Sequence, residues 1–198
     1  NINSQEELNL KNLKKFNPEL IFFPHWNWIV PSEIHRNFSC IVFHTAPLPY
    51  GKGGSPIQNL ILNGYKSSPV CALQMTNKLD SGPIYIKKNL SLKGSLKEIL
   101  QNLNLLVNEM IVDLIQQLPN PKEQKGEEYF FKRLEEKNNL IPLGKSILEV
   151  FDRIRMVDEE TYPNAYINFG DLKIEFKNVV LKDGEIKCEA IFKEIKLK

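Results

Sequence analysis

Apolar residues along this chain follow two patterns. The short unbroken runs Leu20-Ile21-Phe22-Phe23 and Cys40-Ile41-Val42-Phe43 are too short for helices and predict strands covered on both faces, and Val70 to Met75, interrupted by Gln74, predicts a further strand. Elsewhere apolar positions recur every three or four residues. Leu8, Leu10, Leu13 and Phe16 predict a helix started at Ser4 and stopped before Pro18, while Ile34 and Phe38 predict a short one opened by Pro31. Ile57, Leu60 and Ile61 predict another, with Ser55 as N-cap, Pro56 at its first position and Gly64 closing it. The longest periodic stretch, Ile99, Leu103, Leu106, Met110, Leu114 and Leu118, follows a Ser95–Glu98 capping box and ends at Pro119. Ile84-Tyr85-Ile86 predicts a strand paired with 70–75 across the turn from Asn77 to Gly82.

Strands alternating with helices predict an α/β fold built on an open twisted sheet flanked by helices. Prolines, a glycine and mixed charges make 119–128 a linker, which divides the chain into a domain at 1–118 and a module at 129–198. In the module, Ser146 and Glu149 form a second capping box before Ile147, Val150, Phe151 and Ile154. The Gly170-Asp171 and Asp183-Gly184 turns then predict a small antiparallel β module.

One stretch carries chemistry. His44 stands at the carboxyl end of the 40–43 strand, and the loop after it holds two prolines and three glycines before the helix at Pro56. An ionisable side chain, a loop whose backbone can approach a ligand and a helix N-terminus meet where open α/β sheets bind ligands.

Composition narrows the classes. A chain of 198 residues, 42% of them hydrophobic, supports one substantial core and a small appendage. A net charge of +2 announces neither nucleic acid nor an anionic membrane. Cys40, Cys71 and Cys188 lack metal-ligand spacing and are odd in number, which fits reduced thiols packed in a cytoplasmic protein. No metal site and no membrane partner is expected, because no apolar run approaches the ~18 residues of a span and the polar N-terminus has no signal-peptide profile.

His44, Leu48-Pro49, Gly53 and Ser55-Pro56-Ile57-Gln58, followed by Leu79-Asp80-Ser81-Gly82, resemble the 10-formyltetrahydrofolate-dependent formyltransferases, a family acting on methionyl-tRNA and on amino sugars. His44 and Asp80 stand 36 positions apart, as that family's catalytic His and Asp do. The resemblance implies a Rossmann-like domain with His44 and Asp80 catalytic. It implies that Pro24, His25, Trp26 and Asn27, with Asn77 and Leu79, line the pocket of the folate donor. Gly51, Lys52, Gly53, Gly54, Ser55 and Gln58 would hold the amine acceptor, with any phosphate on the loop and helix N-terminus. Tyr129-Phe130-Phe131-Lys132-Arg133 and Pro163-Asn164-Ala165-Tyr166 are similar to segments after the family's catalytic domain. The family also has a strand and helix ahead of the first helix here, so the expectation is that this sequence lacks that βα unit. Each residue has a plainer counterpart: a structural hydrogen bond for His44 and His25, turn formation for Asp80, core anchoring for Trp26 and Trp28, solvation for Lys52.

Moving a formyl group between nitrogens is acyl transfer, which needs an oxyanion stabiliser and a route for protons. A protonated His44 would donate to the oxyanion or, when neutral, accept the amine's proton; Asp80 would orient the ring and relay protons through water. The family's Asn two residues before the His is Val42 here, which cannot hydrogen-bond, so either His25, Asn27 or Thr45 substitutes or the reaction runs with one donor fewer. Residues 121–198 hold 15 Lys and Arg against 16 Asp and Glu, without the excess that phosphate-backbone binding uses. The expected acceptor is therefore a small amine such as an amino-sugar nucleotide, with methionyl-tRNA second. A formyl-folate hydrolase and an inactive folate-binding homologue are the remaining alternatives.

Overall fold

Each apolar run becomes a strand in the computed structural model, which describes residues 2, 4–26 and 28–195. In chain order the elements are α1 (Leu10–Phe16), β1 (Leu20–Phe23), α2 (Ser32–Asn37), β2 (Ser39–Thr45), β3 (Tyr50–Gly53) and α3 (Pro56–Leu62). β4 (Ser67–Gln74), β5 (Ile84–Ser91), α4 (Leu96–Gln116), β6 (Tyr129–Phe131), α5 (Ile147–Arg155), β7 (Ala165–Phe169), β8 (Leu172–Lys182) and β9 (Glu185–Glu194) follow. The central sheet has the order β1-β2-β4-β5; β3 pairs with β6, and β7-β8-β9 form an antiparallel sheet. The central sheet is mixed. β1 runs parallel to β2, with Phe23 opposite Val42, whereas β4 runs antiparallel to it, with Ile41 opposite Gln74 and Thr45 opposite Val70.

Local chemistry moves several boundaries. α1 begins at Leu10 because the Asn9 side chain caps it, accepting from Asn12 N at 2.9 Å, while Ser4 only closes a turn by accepting from Glu7 N. Ser55 precedes α3 as expected but does not cap it: its φ is 50° and its Oγ accepts from Leu134 N at 3.0 Å instead. Both predicted capping boxes form, at Ser95–Glu98 and at Ser146–Glu149. α4 buries Leu96, Ile99, Leu103, Val107, Met110 and Leu114; Leu106 is only half-buried, and Leu118 lies past the helix end, 45% exposed.

The chain forms two compact units. One comprises Asn1–Gly53, Pro69–Asn89 and Leu105–Phe130; the other comprises Gly54–Ser68, Leu90–Asn104 and Phe131–Lys198. In the first, Leu8, Leu13, Phe23, Ile34 and Cys40 form one apolar cluster, and Ala46, Leu48, Cys71, Leu73 and Ile84 another, with Val42 packed against both. In the second, Arg155 is 3% exposed and donates to Asp152 Oδ1 at 2.6 Å and to the carbonyls of Leu92 and Gly94. That buried charge is thus paired and hydrogen-bonded, the condition under which burial is tolerated. Asp183 and Gly184, with φ of 52° and 79°, make the two-residue turn between β8 and β9.

Candidate active site

Alternation along β2 puts the side chains of Cys40, Val42 and His44 on one face. His44 is 7% exposed, and its two ring nitrogens meet different partners. Nε2 lies 2.7 Å from the Gly51 carbonyl oxygen, and Nδ1 lies 3.5 Å from Asp80 Oδ2. The contact with a carbonyl requires a proton on Nε2, and a proton on Nδ1 would suit the carboxylate. Gly51 and Gly53, with φ of 89° and 97°, adopt a backbone that glycine enters without strain, and Gly53 N donates to Asp80 Oδ2 at 2.9 Å. One Asp80 oxygen therefore sits between a backbone N–H and the imidazole edge.

Asp80 reaches this place by a returning loop. Because β4 is antiparallel to β2, Gln74 ends opposite Ile41, away from the carboxyl end of β2 where His44 stands. Gln74 N donates to Pro83 O at 2.9 Å, which closes the 75–82 loop. A Cβ on Gly82 would collide with the Gln74 carbonyl oxygen, so this closure admits only glycine. Asp80 itself has a φ of 48°, a left-handed conformation that Asp tolerates better than most residues. β2 lies between β1 and β4, and β4 points the other way, so the loops after β1 and β4 do not leave neighbouring strands at one sheet edge.

Lys52, expected on an open loop, is 1% exposed. Its ammonium donates to Ser81 Oγ at 2.9 Å and to Glu128 Oε1 at 2.5 Å, so it faces inward instead of towards a ligand phosphate. The hydrogen bond and charge of Lys52, with a smaller contribution from Lys78, hold the Glu128 carboxyl below the usual carboxylate range. Gln124 Nε2 donates to the carbonyls of Asp80 at 2.8 Å and Gly82 at 2.9 Å. Lys122 exchanges backbone hydrogen bonds with Ile84. The 119–128 stretch thus does more than connect. Gln124 and Glu128 were not legible as neighbours of the site, since a backbone-directed Gln and a surface Glu carry no local signal.

The remaining expected residues are placed as follows. His44, Asp80, Gly51, Lys52 and Gly53 come together. Pro24 and His25 are exposed, with His25 at a φ of 52°, and Asn27 lies outside the described residues. Trp26 packs on the first apolar cluster, edge-on to Phe23 at 5.6 Å and to Trp28 at 4.9 Å, and its buried Nε1 has no hydrogen-bond partner. Asn77 is exposed, as is Leu79 at 64%. Gly54, Ser55 and Gln58 belong to the second unit, where Gln58 is buried on α3. Val42 is half-buried and apolar, and Thr45 is buried. Burial pushes the Cys40 thiol up to about 12 and the Cys71 thiol up to about 11, leaving neither a nucleophile near neutral pH. Among the described residues no cluster of three or more His, Cys, Asp or Glu could hold a metal ion, and no helix is long and apolar enough to cross a membrane.

A mixed α/β sheet with a buried His–Asp pair at the carboxyl end of β2, followed by a small antiparallel module, defines the class, and comparison with known proteins identifies the family. Residues 2–111 match the formyl transferase model, and residues 135–193 match that of the methionyl-tRNA formyltransferase C-terminal domain. The chain belongs to the formyl transferase family. The solved methionyl-tRNA formyltransferase from Clostridium thermocellum is 38% identical with a TM-score of 0.91, over 98% of this chain and 86% of that one. The curated methionyl-tRNA formyltransferase of Thermodesulfovibrio yellowstonii is 27% identical over 93% of this chain and 62% of its own length. HypX from Aquifex aeolicus, solved in complex with tetrahydrofolic acid, shares the fold with a TM-score of 0.70 at 17% identity, over 90% of this chain and 33% of that one. The chain spans about three-fifths of the length of the curated relatives it matches.

Proposed function

We propose that this protein is an N-formyltransferase that moves a formyl group from 10-formyltetrahydrofolate to a primary amine, with His44 and Asp80 as its catalytic pair. The observation that carries this reading is the approach of His44 Nδ1 to Asp80 Oδ2 at 3.5 Å within the stretch that matches the formyl transferase model. The amine nitrogen attacks the formyl carbon, forming a C–N bond and a tetrahedral oxyanion; the bond to the folate nitrogen then breaks, and a proton moves from the attacking to the leaving nitrogen. With Nε2 committed to the Gly51 carbonyl, the Nδ1 edge, 3.5 Å from Asp80 Oδ2, is the one through which His44 would carry protons or donate to the oxyanion. Asp80 is the group to take up and return the transferred proton. The unpartnered Trp26 N–H, beside two further aromatic rings, fits a flat heteroaromatic donor with acceptor atoms on its rim. HypX, which shares the fold, binds tetrahydrofolic acid. With Cys40, Cys71 and Cys188 all free, we place the reaction in the reducing cytoplasm.

For the acceptor, the match of 135–193 to a methionyl-tRNA formyltransferase C-terminal domain favours methionyl-tRNA. A small amine such as an amino-sugar nucleotide is the second reading, supported by the even charge of 121–198. Incubating the protein with 10-formyltetrahydrofolate and each acceptor, and measuring formylated product and free formate separately, tests the proposal. Formyl-methionyl-tRNA is the expected product. Formate alone would make the protein a hydrolase, and neither product would leave a folate-binding homologue.

A further inference from the structure

The turn that carries Asp80 is fastened from outside. Lys52 Nζ bonds Ser81 Oγ, next in sequence to Asp80, and is itself anchored by Glu128. Gln124 bonds the carbonyls on either side of Ser81. All four bonds converge on three residues, Asp80, Ser81 and Gly82, or on the cation that reaches them. None is needed to close the 75–82 loop, which the Gln74–Pro83 bond and the paired backbone of Ile84 and Lys122 already achieve. Their remaining effect is on where the Asp80 carboxylate points.

We propose that Lys52 and Gln124 are positioning residues for the His44–Asp80 pair, holding the Asp80-Ser81-Gly82 turn so that Asp80 Oδ2 stays on Gly53 N–H and facing His44 Nδ1. This rests on the reading of that pair as catalytic. A buried ammonium shared by a hydroxyl and a carboxylate has few alternative geometries, and a displacement of about 1 Å in a reacting group costs on the order of a hundredfold in rate.

The test uses the full chain with Gln124→Ala, Glu128→Gln, Lys52→Met and Lys52→Arg. The first three lower kcat by about ten- to a hundredfold with KM for donor and acceptor within about twofold, while Lys52→Arg, which keeps the donors, recovers most of the loss. In the same variants the His44 imidazole 1H–15N resonances move. Glu128 is 59% exposed at its side chain, so Glu128→Gln keeps the fold even where Lys52→Met does not. Unchanged kcat and unmoved His44 resonances in Glu128→Gln and Gln124→Ala overturn the proposal, as does a lower kcat with the resonances unmoved. Resonances that move in a protein whose wild type transfers no formyl group support the positioning and remove the catalytic reading instead.

Discussion

At the scale of the residue, His44 and Asp80 are buried enough to exclude bulk water yet joined to backbone through Gly51 and Gly53. His44→Ala and Asp80→Asn are expected to lower formyl transfer by at least about a hundredfold with circular dichroism unchanged, because on the proposed mechanism each removes a proton-transfer group while the strands stay intact. Asp80→Asn is the sharper variant: it keeps the shape and the bond from Gly53 N but loses the charge beside the ring. Wild-type turnover in either variant removes that residue from the mechanism. Val42, where the family carries Asn, packs against both apolar clusters of the first unit. On the proposed mechanism Val42 offers the formyl oxygen no donor, which leaves more of its stabilisation to His44.

At the scale of the element, the loop joining β4 to β5 decides whether the pair exists. Gly82 is its tightest point, with space for a hydrogen but not a methyl group. Gly82→Ala should destabilise the protein by about 1–3 kcal/mol, since a backbone carbonyl and not a flexible side chain must yield. Activity should fall further than the lowered Tm explains, because the shift displaces Asp80. Gly64, at a φ of 78° and with open space where a methyl group would project, makes a useful comparison: Gly64→Ala should lower Tm through backbone strain alone and leave kcat unchanged.

At the scale of the whole molecule, the matched family regions cover 2–111 and 135–193, while charge is evenly balanced over the chain at a net +2. If methionyl-tRNA is the acceptor and the evenly mixed cations of this sequence contact only about two or three phosphates, binding is only moderately salt-dependent. Raising salt from about 50 to 200 mM should then weaken tRNA binding by roughly ten- to fiftyfold, measured by filter binding or fluorescence titration. A loss of about a thousandfold or more would mean clustered phosphate contacts that composition does not reveal. Formylation of a small amine with no tRNA binding at either salt would select the second reading.

The residues alone determined the class of fold. Periodicity located the strands and helices, and Ser95–Glu98 and Ser146–Glu149 announced their helix starts, because these signals act over a few neighbouring residues. The resemblance of the His44 and Leu79-Asp80-Ser81-Gly82 stretches to the formyltransferases marked a pair. Tertiary structure decided the rest. Strand direction set β4 against β2, so that Asp80 arrives by a returning loop, and burial turned Lys52 from an open-loop cation into a strut between Ser81 and Glu128. Gln124 and Glu128 entered the site from a stretch that reads as a linker. Their contacts span 44 and 76 positions, and side chains so far apart in sequence share no local pattern; only the path of the folded backbone brings them together.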